Sequence, residues 1–157
     1  MLMLLKWILV ILHIITAAAW FGIGLRLAGQ ARTVLTLDGT GRTALAEDGQ
    51  QSVRLMNIFI LLTLVFSLGA FVAGGHFSTY GPAYHSAVTL IVLLTLDQFF
   101  VIRPGWNTLL AYANGQDVAD DAAQSAKTKV AIGTGVGHLI WLVLLGLMFV
   151  DRIVPLL

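Results

Sequence analysis

Four long segments of the sequence are almost free of charged residues, and this pattern constrains the fold more than any other feature. They run at about residues 4–28, 55–75, 83–102 and 130–150, and charged residues, Gly or Pro bound each one. About 20 apolar residues in a helix suffice to cross the hydrocarbon core of a bilayer. Of the 157 residues, 58% are hydrophobic and 11% are charged, which leaves little chain for an aqueous domain. The sequence therefore predicts an all-α integral membrane protein, an up-and-down four-helix bundle formed as a single domain by residues 1–157.

Composition excludes several classes of chemistry. The chain has no cysteine, so disulfides, thiolate metal sites and covalent c-type haem are excluded. A net charge of +1 gives no basic patch, and nucleic acid is not expected as a partner. Lys6 and the run Ala17-Ala18-Ala19 resemble a signal peptide, but the apolar pattern continues to Leu27, which is long enough to span. We therefore predict that this segment is the first span.

The basic residues predict an orientation. Two connections hold most of them, and Lys6 and Arg152 lie on the other side. Basic loops stay in the cytoplasm, so both termini are expected outside, in the periplasm if the protein belongs to a bacterial inner membrane. We expect the first connection to be helix ends around one turn, and the third to open at Pro104-Gly105 and end in a helix that leads into the fourth span. The basic residues on the predicted cytoplasmic side are Arg26, Arg32, Arg42, Arg54, Arg103, Lys127 and Lys129.

Placing an ionisable side chain inside a span costs free energy, so each such residue is expected to have a structural or functional role. They are His13, His85, Asp97 and His138, whereas His76 falls at the end of the second span and is expected to be a solvated loop residue. His13 lies in Leu12-His13, with Trp20 seven residues later on the same helix face and Gly22 nine residues later. A histidine bonded to a carbonyl of a neighbouring helix is the alternative to a ligand here.

This arrangement in the first of four spans resembles the superfamily of the CopD copper-resistance domain, which includes the HemJ-type protoporphyrinogen oxidases. The resemblance implies that His13 binds haem b or a metal. Tyr84-His85 matches the HemJ histidine that opens the third span, but Ala87 stands where that pattern has lysine, and the Asn-Glu element expected after the third span is missing. With these departures, the resemblance favours the broader superfamily over HemJ-type enzymatic activity.

The second ligand of a six-coordinate haem follows from the bundle geometry. Neighbouring helices lie about 8–10 Å apart, which crowds a porphyrin, whereas diagonal helices leave more room. At about 1.5 Å per residue, His13 and His85 are a diagonal pair at compatible depth. His138 lies on an adjacent helix and is the second choice. It follows Gly133 and Gly137, a small-residue face that permits close approach of a helix or a flat cofactor.

Two further expectations concern polar and aromatic residues. Asp97 is expected to hold a cationic or hydrogen-bonding partner near the basic side, in preference to relaying protons. The aromatic residues Trp7, Trp106, Trp141, Tyr80 and Tyr84 are expected mostly to be interface anchors.

Three functions remain open from the sequence. The first is a membrane haem b protein that transfers electrons, alone or as a small subunit of a respiratory complex, with redox proteins or quinone as partners. The second is a copper protein with histidine and methionine ligands, although the four methionines are scattered along the sequence. The third is an accessory subunit with no cofactor, in which the histidines only make interhelical hydrogen bonds. A second copy of the chain or the other subunits of a larger complex are further candidate partners. In the first reading, the cofactor-binding residues are His13, His85, His138, Trp20, Gly22 and Gly137.

Overall fold

A computed structural model describes residues 2–75 and 81–153, with side chains described as far as Phe149. His76 and Tyr80, and the expectations attached to them, lie outside the described residues. Every described element is helical. The elements are α1 (Leu2–Val34), α2 (Gly39–Ala73), α3 (Pro82–Asp97), a π-helical turn (Gln98–Ile102), α4 (Arg103–Ala113) and α5 (Asp120–Ile153).

The third spanning helix is continuous from Pro82 to Ala113, because the π-helical turn joins α3 directly to α4. Together with α1, α2 and α5 it gives four helices that are long and apolar enough to cross a membrane. Large apolar side chains face outward on all four, among them Ile15, Val65, Phe100 and Leu139. Such a surface suits lipid and would be an aggregation hazard in water. The predicted all-α four-helix bundle is confirmed, and its surface fits a multi-pass membrane protein in a lipid bilayer.

The helices follow one another around the bundle. α1 packs along α2 and α5, and the third helix packs against the same two neighbours. The diagonal pairs are therefore α1 with α3 and α2 with α5, as the simplest up-and-down order predicts. The α1–α2 turn and the α4–α5 connection lie at one end of the bundle, which carries most of the Lys and Arg residues and is called the basic end below. The opposite end is called the far end.

At the basic end, the helices continue beyond the apolar spans into both connections. α1 ends at Val34 and α2 begins at Gly39, where φ is +56°, so one tight turn joins two protruding helices as expected. α5 begins at Asp120 and runs into the fourth span, which also confirms the sequence expectation.

Pro104-Gly105 does not open a connection, so that prediction was wrong. Proline lacks an N–H and clashes with the carbonyl four residues before it, but the π-helical turn just upstream shifts the hydrogen-bond register, and the Arg103 N–H bonds to the Gln98 carbonyl. The helix continues to Ala113 as α4. Trp106 is consequently fully buried and donates its indole N–H to the Ala46 carbonyl at 3.0 Å, so it is no interface anchor.

The core is concentrated toward the basic end. On α1 the buried residues begin at Thr16, on α3 they begin at Ile91, and on α5 the described side chains from His138 to Phe149 include no buried one. Among the described residues at the far end, α2 alone contributes buried side chains, with Ala70 and Phe71 each 9% exposed. The far half of the bundle therefore has little packed interior.

Candidate intramembrane site

Gln98 lies at the centre of the polar contacts between the helices. Its side chain is fully buried in the π-helical turn. It accepts a hydrogen bond from the Trp20 indole N–H at 3.1 Å, and its amide donates to the Asn57 side-chain oxygen at 2.9 Å. Three helices are thus joined through one amide. Neither Gln98 nor Asn57 was predicted as a site residue from the sequence, although a polar amide inside an apolar span is itself a signal of interhelical bonding.

Asp97 does not have the partner expected for it. Its carboxylate lies over α5, where Cβ atoms placed on Gly133 and Gly137 would be 3.1 Å from Oδ1 and 3.5 Å from Oδ2. Oδ2 is buried and accepts no hydrogen bond, and among the described residues the recorded ion pair is Arg42 with Asp38. The guanidinium of Arg103 instead lies 5.8 Å from the ring of Phe99.

His13 is half-buried and faces α2. Its Nδ1 lies 3.2 Å from the main-chain oxygen of Thr63. Since a carbonyl oxygen only accepts hydrogen bonds, Nδ1 carries the proton and donates it. In the neutral imidazole, Nε2 then keeps its lone pair. The Thr63 hydroxyl bonds in turn to that of Thr16 at 3.0 Å, so the α1–α2 contact is held by polar groups at this level.

His138 is half-buried and faces α1. Its ring is tilted against that of Phe21, with the centroids 4.6 Å apart, and meets Trp20 edge-on at 5.9 Å. Its Nε2 is buried without a hydrogen bond from the described residues. A Cβ placed on Gly24 would be 2.9 Å from that Nε2 and 3.2 Å from Cε of Met56. The imidazole nitrogen and the methionine methyl group are therefore within about 6 Å of each other, the sum of those two distances. The sequence alone gave no sign of this proximity.

The remaining predicted site residues lie in different surroundings. His85 is half-buried near the start of α3, with its ring 6.4 Å from Phe71. Gly22 is exposed on α1, with open space where a Cβ would be. Gly137 is buried, and a Cβ there would lie 2.9 Å from the Trp20 ring, so the small residues on α5 serve close helix packing.

The three histidines lie at three levels of the bundle. His138 packs at Gly24, eleven residues after His13 on α1, a separation of about 16 Å along the axis by helical rise. His85 packs at Phe71, eight residues after the Thr63 contact of His13, a separation of about 12 Å. No pair of these three described histidines is brought together as metal ligands. Among the described residues there is also no group of three or more His, Asp or Glu placed to hold a metal ion.

Comparisons with models of protein families, with curated proteins and with solved structures give no match.

Proposed function

We propose that the chain is a membrane haem b protein that takes part in electron transfer, with His13 as an iron ligand. The observation that carries the proposal is the contact between His13 Nδ1 and the Thr63 carbonyl. Histidines that ligate metals almost always donate their other ring N–H to a carbonyl or carboxylate, which fixes the tautomer and the ring orientation. His13 has this arrangement, and its Nε2 is left for the metal.

The packing of the far half also supports the proposal. A porphyrin needs room between the helices, and the α1, α3 and α5 segments at this end contribute few buried side chains that it would have to displace. Iron in haem b supplies a reversible one-electron couple, and the protein sets its potential through ligands, burial and hydrogen bonds. Redox partner proteins or quinone would exchange electrons with it, with the chain acting alone or within a larger complex of a bacterial inner membrane.

His85 is the proposed second ligand, since it stands on the helix diagonal to His13. Its level, about 12 Å from that of His13, is closer than that of His138, but both imidazoles can hold one iron only if this separation closes when haem binds. His138 lies toward the packed core, against Gly24. Substituting each histidine in turn tests the assignment.

The experiment is an optical spectrum of purified protein, oxidised and then reduced with dithionite. We expect His13→Ala to remove the haem spectrum, His85→Ala to convert sharp low-spin α and β bands into a high-spin spectrum or to lose haem, and His138→Ala to leave the bands in place. Size-exclusion profiles and circular dichroism check that each variant is folded. If His138→Ala removes the low-spin signal and His85→Ala does not, the second-ligand assignment is wrong.

A second function is favoured by one observation, the proximity of His138 and Met56. The His138 imidazole nitrogen has no hydrogen bond and lies within about 6 Å of the terminal methyl group of Met56, and imidazole and thioether are donor types that suit Cu(I). The corresponding test is competition for Cu(I) with a chromophoric chelator. Met56→Leu should lower the affinity for Cu(I) at least tenfold. The control Met148→Leu, at a methionine of α5 far from His138 Nε2, should leave the affinity unchanged. Equal affinities for both variants would remove this alternative.

A further inference from the structure

The carboxyl group of Asp97 is the one intramembrane acid among the described residues, and neither proposed cofactor site uses it. It stands at the last residue of α3, immediately before the π-helical turn. π-Helical turns occur frequently at functional sites. Its Oδ2 is buried without a hydrogen bond, so the group is either neutral or balanced by something other than the described side chains.

The charged groups on the neighbouring elements do not neutralise it. On α5, Lys129 is exposed one helical turn before Gly133, and His138 directs its ring to α1. On α4, Arg103 stacks on Phe99, and on α1 and α2 the cations Arg26 and Arg54 are exposed. None of them forms a salt bridge with Asp97 in the described part of the chain. An unpaired carboxylate in a low-dielectric interior is disfavoured, and protonation is the usual way it is relieved.

An open cavity of about 380 Å³ lies in the groove between the third helix and α5, on the side of Asp97 toward the basic end. Asp97 is close to this cavity but is not one of its lining residues. A Cβ on Gly133 would be 3.1 Å from both Asp97 Oδ1 and Val101 Cγ1, so the carboxylate lies within about 6 Å of a side chain that lines the cavity. The other lining residues are mostly polar and exposed toward the start of α5. They are Gln124, Ser125, Thr128, Lys129 and Ile132.

We propose that Asp97 is a proton-binding site within the membrane that exchanges its proton with water at the basic end through this groove. The ligand is a proton taken from hydronium or water, and it adds to a carboxylate oxygen. A metal cation fits the site less well, because hard cations need several oxygen ligands and Asp97 is the only carboxylate at this level among the described residues. The proposal is independent of the haem proposal and is tested by separate measurements.

The first test is modification by the apolar reagent dicyclohexylcarbodiimide, which reacts with protonated carboxyl groups in apolar surroundings. Purified full-length protein in detergent is treated over a range of pH, and adducts are located by peptide mass spectrometry. We expect an adduct on Asp97 at neutral pH that falls more than tenfold at alkaline pH, no adduct at this site in Asp97→Asn, and none on the exposed Asp117, Asp120 and Asp121. Absence of an adduct on folded wild-type protein at every pH would overturn the proposal. Protection by Na⁺ at constant pH would identify a metal cation as the ligand, which also overturns it.

The second test concerns the route by which water reaches Asp97, and it uses the absence of native cysteine. Val101→Cys, in the groove, should react with a charged, membrane-impermeant thiol reagent added from the basic side. Leu25→Cys should not, because Leu25 is 60% exposed on the lipid-facing surface of α1 and lies beside Gly24, outside the groove. Equal reactivity of the two variants would show that the groove is not the route for water to Asp97.

Discussion

At the residue scale, a single buried amide connects three helices. Gln98 bonds to the Trp20 indole N–H and to the Asn57 side-chain oxygen, so a nonpolar replacement leaves a buried indole N–H and a half-buried amide oxygen without these partners. Interhelical hydrogen bonds in membrane proteins contribute about 0.6 kcal/mol on average and up to about 1.7 kcal/mol. The fully buried geometry places the Trp20–Gln98 bond toward the upper part of this range.

A double-mutant cycle measures that bond. Trp20→Phe, Gln98→Leu and the double variant are compared by the free energy of unfolding in detergent. We expect a coupling energy of about 1–1.7 kcal/mol between the two positions. Additive effects within experimental error would show that the bond contributes nothing to stability.

Some residues of the site could be identified from the sequence, and others could not. His13 was identifiable because an intramembrane histidine is rare, and its bond to a carbonyl of the neighbouring helix was one of the two expectations for it. The Asp97 partner was predicted wrongly because the sequence gives the approximate height of a residue in a span but not the direction of its side chain, and Arg103 lies over the ring of Phe99 instead. The proximity of Met56 and His138 depends on the rotation of α1, α2 and α5 about their own axes, which the hydropathy pattern does not determine.

At the element scale, α4 lies closely against α2 because a glycine faces a tryptophan. A Cβ on Gly49 would overlap the ring of Trp106, which is fully buried and fixed by its bond to the Ala46 carbonyl. Spans and their order were predictable from charge and hydropathy. The continuation of the third helix through Pro104 was not, because a proline inside a helical pattern normally marks an end and the compensating π-helical turn leaves no pattern in the sequence.

Gly49→Ala should therefore destabilise the protein by about 1–3 kcal/mol, the usual cost of overpacking a rigid core. Gly29→Ala is the matched control, since Gly29 lies within α1 with open space around it, and alanine there should be neutral or stabilising by up to about 1 kcal/mol. The thermal unfolding midpoint in detergent reports both changes. A midpoint for Gly49→Ala equal to that of the wild type would contradict the close α2–α4 contact.

At the scale of the whole molecule, the antiparallel helices place the α1–α2 turn and the α4–α5 connection at the same end, together with most of the basic residues. We expect this basic end in the cytoplasm and both termini outside. Reporter fusions at Gly41 and Asn114 should score as cytoplasmic, and a fusion at Leu157 should score as external. A cytoplasmic C-terminus would reverse the orientation, and the groove that leads to Asp97 would then open to the other side.

The central functional claim is that this bundle holds haem b through His13, and the porphyrin content of purified protein tests it most directly. Because the chain has no cysteine, the attachment must be non-covalent, and acid acetone should extract all of the porphyrin. For protein expressed with ample haem, a pyridine haemochrome assay should give the spectrum of haem b, with close to one porphyrin per chain in the wild type and almost none in folded His13→Ala. Well-folded wild-type protein without porphyrin, or a His13→Ala variant with undiminished haem, would contradict the claim.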